Sequence, residues 1–362
     1  APPPPREQPT SIADLVLLPP PPPAPSPPAQ PAAKAPTPSP PPPPTPASPP
    51  SPVPAAPPAR GIAAAPWWET PETFLAEARV RLELFLRGAR AGRLESVGPL
   101  EEVCERLIRS LVEGDQLHVR ALDFRKSRND LVTHMINVAI FAVKIATGLG
   151  LKLEVLLRVA LGGYLHDVGM VRYPPERLTG FQSLTPKEIE ELKRHPEEGY
   201  EILTALGPDY RWLADVAHQE HEREDGSGYP RGLRGDQIAE IAKIVGLADI
   251  YESLTHPRPY RNRMVPLTLP HEAVKEIVQA ERQRFGERYL KGLITGLSAY
   301  PIGTVVRLNN GSAGRVVATS KALPLRPTVG VFRLGTGAEV SPPRLINLAQ
   351  SPLLYIAEAS PG

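Results

Sequence analysis

The sequence predicts a mainly α protein: an antiparallel helical bundle, followed by a small β-rich C-terminal segment and preceded by a disordered proline-rich arm. Three observations predict it. From Asp130 to about Gly296, apolar residues recur at helical spacing with short polar breaks. Beyond Tyr300 the texture changes to short β-branched runs bounded by glycine turns. Of the chain's 48 prolines, about 29 fall within the first 66 residues, where they remove backbone donors and fix φ.

Residues 1–66 hold too little apolar surface to bury a core, and runs such as Pro19–Pro23 and Pro40–Pro44 are expected as extended polyproline II. One apolar island interrupts them, from Thr10 to Leu18. It reads either as compositional noise or, at Ile12–Leu18, as a protein-docking peptide on a stiff tether of about 100 Å. Residues 67–129 form an N-terminal helical region that Trp67 and Trp68 announce. Thr70 before Pro71 is a helix start, and Phe74, Leu75, Ala78, Leu82 and Phe85 follow at helical spacing. A second helix runs from Pro99 through Leu111 with Val103, Leu107 and Leu111 on one face. These helices offer a homodimer or relay surface as well as ordinary packing. The main helical domain spans 130–298. In the final segment, 299–362, strands are expected over Gly303–Leu308, Gly314–Thr319 and Thr328–Arg333, with turns at Asn309–Gly311 and Gly335–Gly337.

Composition excludes several classes of function. Lys plus Arg number 41 against 39 for Asp plus Glu, a net charge of +2, which argues against a nucleic-acid polymer as partner. The single cysteine, Cys104, excludes an intramolecular disulfide framework and fits a reducing compartment. Val138–Val143 is among the longest apolar runs and Lys144 ends it, so no membrane span is expected. Nor does the sequence show a charged-then-apolar leader. A cytoplasmic location is the expectation.

The chemistry lies in the helical domain. His134, His166, His195, His221 and Asp249 follow one another at intervals of 32, 29, 26 and 28 residues, about one helix and loop per ligand. Helical metal sites are built from such inward-facing side chains. Each residue also has a plainer reading. His166-Asp167 follows the apolar stretch Leu156–Leu165, and a carboxylate there needs a cation or dedicated hydrogen bonds; a helix-ending Asp bonded to backbone would satisfy it. His134 shares a helix face with Asp130, and a satisfied core histidine fits the same pattern. Thr185-Pro-Lys-Glu188 is a capping-box start, and Pro196 breaks the helix at His195, placing that ring at a junction or at a surface kink. The densest segment, His218–Pro230, sets several ligand-capable groups before a glycine turn; alone it also reads as a solvated acidic helix end.

Taken together, His166-Asp167-Val-Gly, the segment ending Asp225-Gly-Ser-Gly-Tyr-Pro230, and Ala248-Asp249 resemble the HD-GYP family of bacterial cyclic-dinucleotide phosphodiesterases. Arg258-Pro-Tyr-Arg261, Gly232-Leu-Arg-Gly235 and Leu184-Thr185 extend the likeness, which covers roughly 130–298 and reaches the β segment behind it. The resemblance implies an HD-type bundle with two or three iron or manganese ions. One ion would be held by His134, His166, Asp167 and Asp249. Asp167 would bridge to a second, held by His195, Glu220 and His221. Asp130 lies where some members hold a third. The implied reaction is attack of a metal-bridging hydroxide on a phosphorus of cyclic di-GMP or a related cyclic dinucleotide, giving the linear dinucleotide or GMP. Asp167 and Tyr229 would be catalytic residues. Tyr229 and Pro230 would shape the substrate pocket, with Arg258 and Arg261 as phosphate contacts; a surface ion pair is the plainer role for the arginines. The Gly-Tyr-Pro loop is also a candidate protein-docking element.

Two departures from the family pattern bear on turnover. Glu220 stands where the signature's first histidine of the His-His-Glu triplet is usual, adding a hard, negative ligand that favours manganese or iron. His218 is a substitute in type, but its two-residue offset points it elsewhere on a helix. Met170 replaces a common lysine and removes a cation. The alternative to an enzyme is a catalytically weak module of the same family that senses a cyclic dinucleotide or binds a partner.

Overall fold

The computed structural model describes residues 70–94, 96–123, 130–174, 185–257, 267–320 and 323–360. The arm, with its island at Ile12–Leu18, and the pair Arg258 and Arg261 lie outside the described residues. Among the described residues the chain is mainly helical, with one small antiparallel sheet at its C-terminal end.

Helix α1 (Pro71–Arg90) starts where expected: Thr70 caps it, accepting the Thr73 N–H in a capping box, and Phe74, Ala78, Leu82 and Phe85 are buried. Helices α2 (Gly98–Glu113) and α3 (Gln116–Leu122) follow, and Val103, Leu107 and Leu111 of α2 face the core. The centre of the bundle is α4 (Leu131–Gly148), buried from His134 to Val143 without interruption. A helix apolar on every side needs neighbours all round. Here α5 (Leu153–Leu165), α9 (Glu240–Thr255) and α11 (Glu287–Leu297) supply them. By length and composition α4 could cross a membrane, yet 67% of it is buried inside the bundle.

After α5 comes a 3-10 turn (Val168–Arg172), then α6 (Pro186–Leu192), α7 (His195–Thr204) and α8 (Arg211–Gln219). Thr185 caps α6 in the expected box, and α7 opens at His195, so that residue does sit at a junction of helices. Helix α10 (Pro270–Ala280) precedes α11.

The sheet has its own small core of Val306, Leu308, Val316, Val329, Val331 and Leu348. Its strands, β1 (Val305–Leu308), β2 (Ala313–Ala318), β3 (Thr328–Arg333), β4 (Glu339–Asn347) and β5 (Ile356–Ser360), are ordered β4-β3-β2-β1-β5. The first three fall on the runs read from sequence. The pattern missed β4 because Pro342 and Pro343 interrupt it; at the sheet's edge a missing N–H costs no ladder bond.

Candidate metal centre

Four helices and two loops bring seven side chains together. Asp130 caps α4, and His134 follows one turn later. At the end of α5, His166 leaves the helix and Asp167 opens the 3-10 turn. His134 Nε2 lies 3.2 Å from His166 Nε2, 3.4 Å from Asp167 Oδ2 and 3.3 Å from Asp249 Oδ1, which α9 supplies. On the other side, His195 Nε2 is 3.2 Å from Asp167 Oδ1, 3.6 Å from Glu220 Oε1 and 3.0 Å from His221 Nε2. His221 Nε2 is 2.7 Å from Glu220 Oε1. The result is two buried clusters, His134-His166-Asp167 with Asp249 beside it, and Asp167-His195-Glu220-His221. Asp167 belongs to both, one carboxylate oxygen turned to each.

Close backbone contact fixes this spacing. A Cβ on Gly169 would lie 2.0 Å from the His195 carbonyl, and one on Gly246 would lie 2.1 Å from the Glu220 carbonyl. Only glycine lets the 3-10 turn meet α7, and α9 meet the end of α8, at these distances.

The donor set fits metal ions. Among the four imidazoles, His134 Nδ1 meets Glu252 Oε2 at 2.7 Å, His166 Nδ1 meets the Gly163 carbonyl at 2.8 Å and His195 Nδ1 meets the Leu192 carbonyl at 2.7 Å. A carbonyl or carboxylate accepts only from N–H, so these rings carry a proton on Nδ1 and turn Nε2 inward as the atom that binds a proton or a metal ion. Nε2 atoms facing each other near 3 Å, ringed by carboxylates, call for positive charge between them. Electrostatics agree. Burial works against a charged His195, but hydrogen bonds to Asp167 and Glu220 override it and raise its pKa to about 10. Burial likewise opposes ionised Asp167 and Glu220, yet the neighbouring histidines hold both carboxyls well below the usual range. The pocket is built for positive charge.

Around the centre stand residues that sequence reading missed. Glu252, one turn beyond Asp249 on α9, backs His134; the three-residue spacing was the signal that could have found it. Glu222 is buried and accepts the N–H groups of Arg231 (2.8 Å) and Leu233 (2.9 Å), tying down the Gly-Tyr-Pro loop. Arg223, also buried, donates through Nη1 to the carbonyls of Glu220 (3.0 Å) and Glu222 (2.9 Å) and lies over the Phe285 ring. Tyr229 stacks on His221 with centroids 4.6 Å apart. Burial and then Glu220 push its phenol well above the ordinary range, leaving it a hydrogen-bond donor at neutral pH.

Asp130 departs from its expected place, and three further residues lie outside the clusters. Asp130 is in neither cluster: its carboxylate caps α4 and pairs with Arg79 at 2.9 Å. Pro230 follows Tyr229 at the loop, half-buried. His218 rests against the Tyr200 ring, away from the clusters, as its helical offset requires. Met170 is buried in the turn after Asp167.

Residues 114–288 match the HD domain, and residues 305–361 match the KOW domain associated with HD domains. The HD match begins at residue 114, upstream of the boundary expected at 130. A helical bundle with paired His/Asp clusters is thus the site of an HD-domain protein. The chain is 28% identical over 278 residues to a cyclic di-GMP phosphodiesterase of Pseudomonas aeruginosa, covering 76% of this chain and 66% of that one. It is 36% identical over 156 residues to the cyclic di-GMP phosphodiesterase response regulator RpfG of Xanthomonas campestris, covering 42% and 39%. Over 132 residues it is 36% identical to 3'3'-cGAMP-specific phosphodiesterase 1 of Vibrio cholerae, covering 36% and 30%. The HD-domain match, these relatives, the His166-Asp167 pair and the complete Asp225–Pro230 signature together support the HD-GYP family. It spans less than two thirds of the length of these curated relatives, 66% at most.

Proposed function

We propose that the chain is a metal-dependent phosphodiesterase hydrolysing cyclic di-GMP, or a related cyclic dinucleotide, to the linear dinucleotide or GMP. The observation that carries this reading is Asp167, whose two oxygens face two separate histidine clusters. His134, His166, Asp167 and Asp249 would hold one ion, and Asp167, His195, Glu220 and His221 a second. Four imidazoles with three carboxylates suit iron or manganese. When bound, such ions supply Lewis-acid polarisation of a phosphoryl oxygen and an activated water at neutral pH.

The chain's own groups do the rest. Glu252 and the Gly163 and Leu192 carbonyls hold imidazole protons on Nδ1, so each Nε2 is the inward atom that can ligate once an ion displaces any proton on it. Glu222 clamps the loop that presents Tyr229, whose protonated hydroxyl can donate to a substrate oxygen. Arg258 and Arg261 remain our candidates for phosphate contacts. The relatives' names supply the substrate class; the buried, charge-matched centre supplies the chemistry.

The test is direct. The full chain, loaded anaerobically with Fe2+ or with Mn2+, should convert cyclic di-GMP to linear product, and Asp167→Ala should not. Binding without product above the Asp167→Ala level would instead favour a sensing module, the reading that Glu220 and the buried Met170 leave in play.

A further inference from the structure

Helix α1 lies outside the residues that match the HD domain, yet it packs on two elements that carry the metal centre, α4 and the 3-10 turn. Arg79, midway along α1, donates from Nη2 to Asp130 Oδ1 at 2.9 Å and to the Thr133 hydroxyl, while Nη1 meets Glu83 at 3.1 Å. Its side chain is only 17% exposed. Asp130 in turn accepts the Thr133 N–H at 2.8 Å, and its carbonyl takes the first intrahelical bond from the His134 N–H at 3.1 Å. Arg79 therefore grips the cap of α4 and the residue immediately before His134. The same helix packs on the 3-10 turn that follows Asp167. One helix thus braces two of the three elements that deliver the first cluster, α9 with Asp249 being the third.

We infer that Arg79 is a positioning residue for the His134 half of the centre, and that its guanidinium takes the place beside Asp130 that a further ion would need. Two physical points support the second clause. Asp130 Oδ1 already accepts from a guanidinium and a backbone N–H. An added ion there would face that fixed charge and the positive end of α4 at short range. The planar fork of arginine is what spans Asp130, Thr133 and Glu83 together; a lysine ammonium cannot reach all three. The inference rests on the metal-centre reading above.

The test isolates the two halves in the full chain. His195→Ala leaves the His134 half, and His134→Ala leaves the Glu220 half. Mn2+ binding is measured by calorimetry in each background, with and without Arg79→Met. Loss of an outer partner should weaken the His134 half about tenfold and the other half less than about twofold. Arg79→Lys should recover part of that loss. Asp130→Asn, in which the cap survives but the ion pair does not, should weaken the same half and leave two ions per otherwise unaltered chain. Equal weakening of both halves, or none, overturns the positioning role. Loss of one whole ion equivalent in Asp130→Asn overturns the second clause. If Arg79→Met does not fold, the Lys and Asn variants carry both decisions. Because the readout is Mn2+ binding, failure to cleave cyclic dinucleotides would defeat the proposed function and leave this result legible.

Discussion

The two halves of the metal centre are held in different ways. In the first, Glu252 backs His134 and a carbonyl backs His166, so both rings are aimed before any ion arrives. In the second, only His195 has such a partner; His221 Nδ1 and Glu220 Oε2 meet no hydrogen-bond partner among the described residues, and Glu220 Oε1 faces the inward Nε2 atoms of His221 and His195. Backbone path replaces side-chain support there. Arg223 grips the carbonyls on either side of His221, Gly246 leaves room for the Glu220 carbonyl, and Tyr229 stacks on the imidazole. The difference teaches that the imidazoles of the first half are oriented by hydrogen bonds, whereas those of the second are oriented more by backbone path and ring packing.

The largest effect should come from the residue the halves share. Asp167→Ala should abolish paired binding and lower turnover by more than about a hundredfold, beyond the range for outer partners. Retention of two ions, measured by elemental analysis of chelator-free protein, would break the two-half description. Next is Glu220→Ala, which should reduce content from about two ions per chain to about one, because a multi-ion site loses one of its buried carboxylates. His218→Ala should leave both ions in place. A smaller change is expected from Glu252→Gln, which keeps volume but removes charge: about tenfold weaker Mn2+ binding in the first half alone, measured in a His195→Ala background. Equal weakening in the second half would show that Glu252 acts on the fold and not on His134.

Several candidate positions were legible in the sequence because they sit beside breaks in the helical pattern: the Thr185 box and the proline around His195, and the glycine turn after His221. The strands β1 to β3 were legible for the same reason. What was hidden depends on distance along the chain. Arg79 meets Asp130 across 51 residues, and no local pattern links α1 to α4. Arg223 looked like part of a solvated acidic run until packing against Phe285 and two carbonyls placed it inside. Reading Asp130 as a ligand came from resemblance, and the structure places an arginine beside it.

His118 sharpens the contrast between burial alone and burial among carboxylates, and it yields the smallest expected effect. It is as buried as the metal-centre histidines, and its ring meets Phe141 edge-on. Burial, with Lys144 adding to it, pushes its pKa down to about 3, whereas Asp167 and Glu220 carry His195 up to about 10. In the unfolded chain an ordinary histidine titrates near 6.5. Between about 6.5 and about 3 the unfolded state therefore takes up a proton that the folded state refuses, and stability falls as pH falls. The slope is at most about 1.4 kcal/mol per pH unit from this one group. His118→Leu should flatten that part of the profile, since His118 Nε2 has no hydrogen-bond partner among the described residues to abandon. Urea midpoints between pH 7 and pH 5 measure the difference directly. Parallel profiles for the two proteins would mean that His118 accepts its proton in the folded state, and that burial alone does not separate it from the histidines of the metal centre.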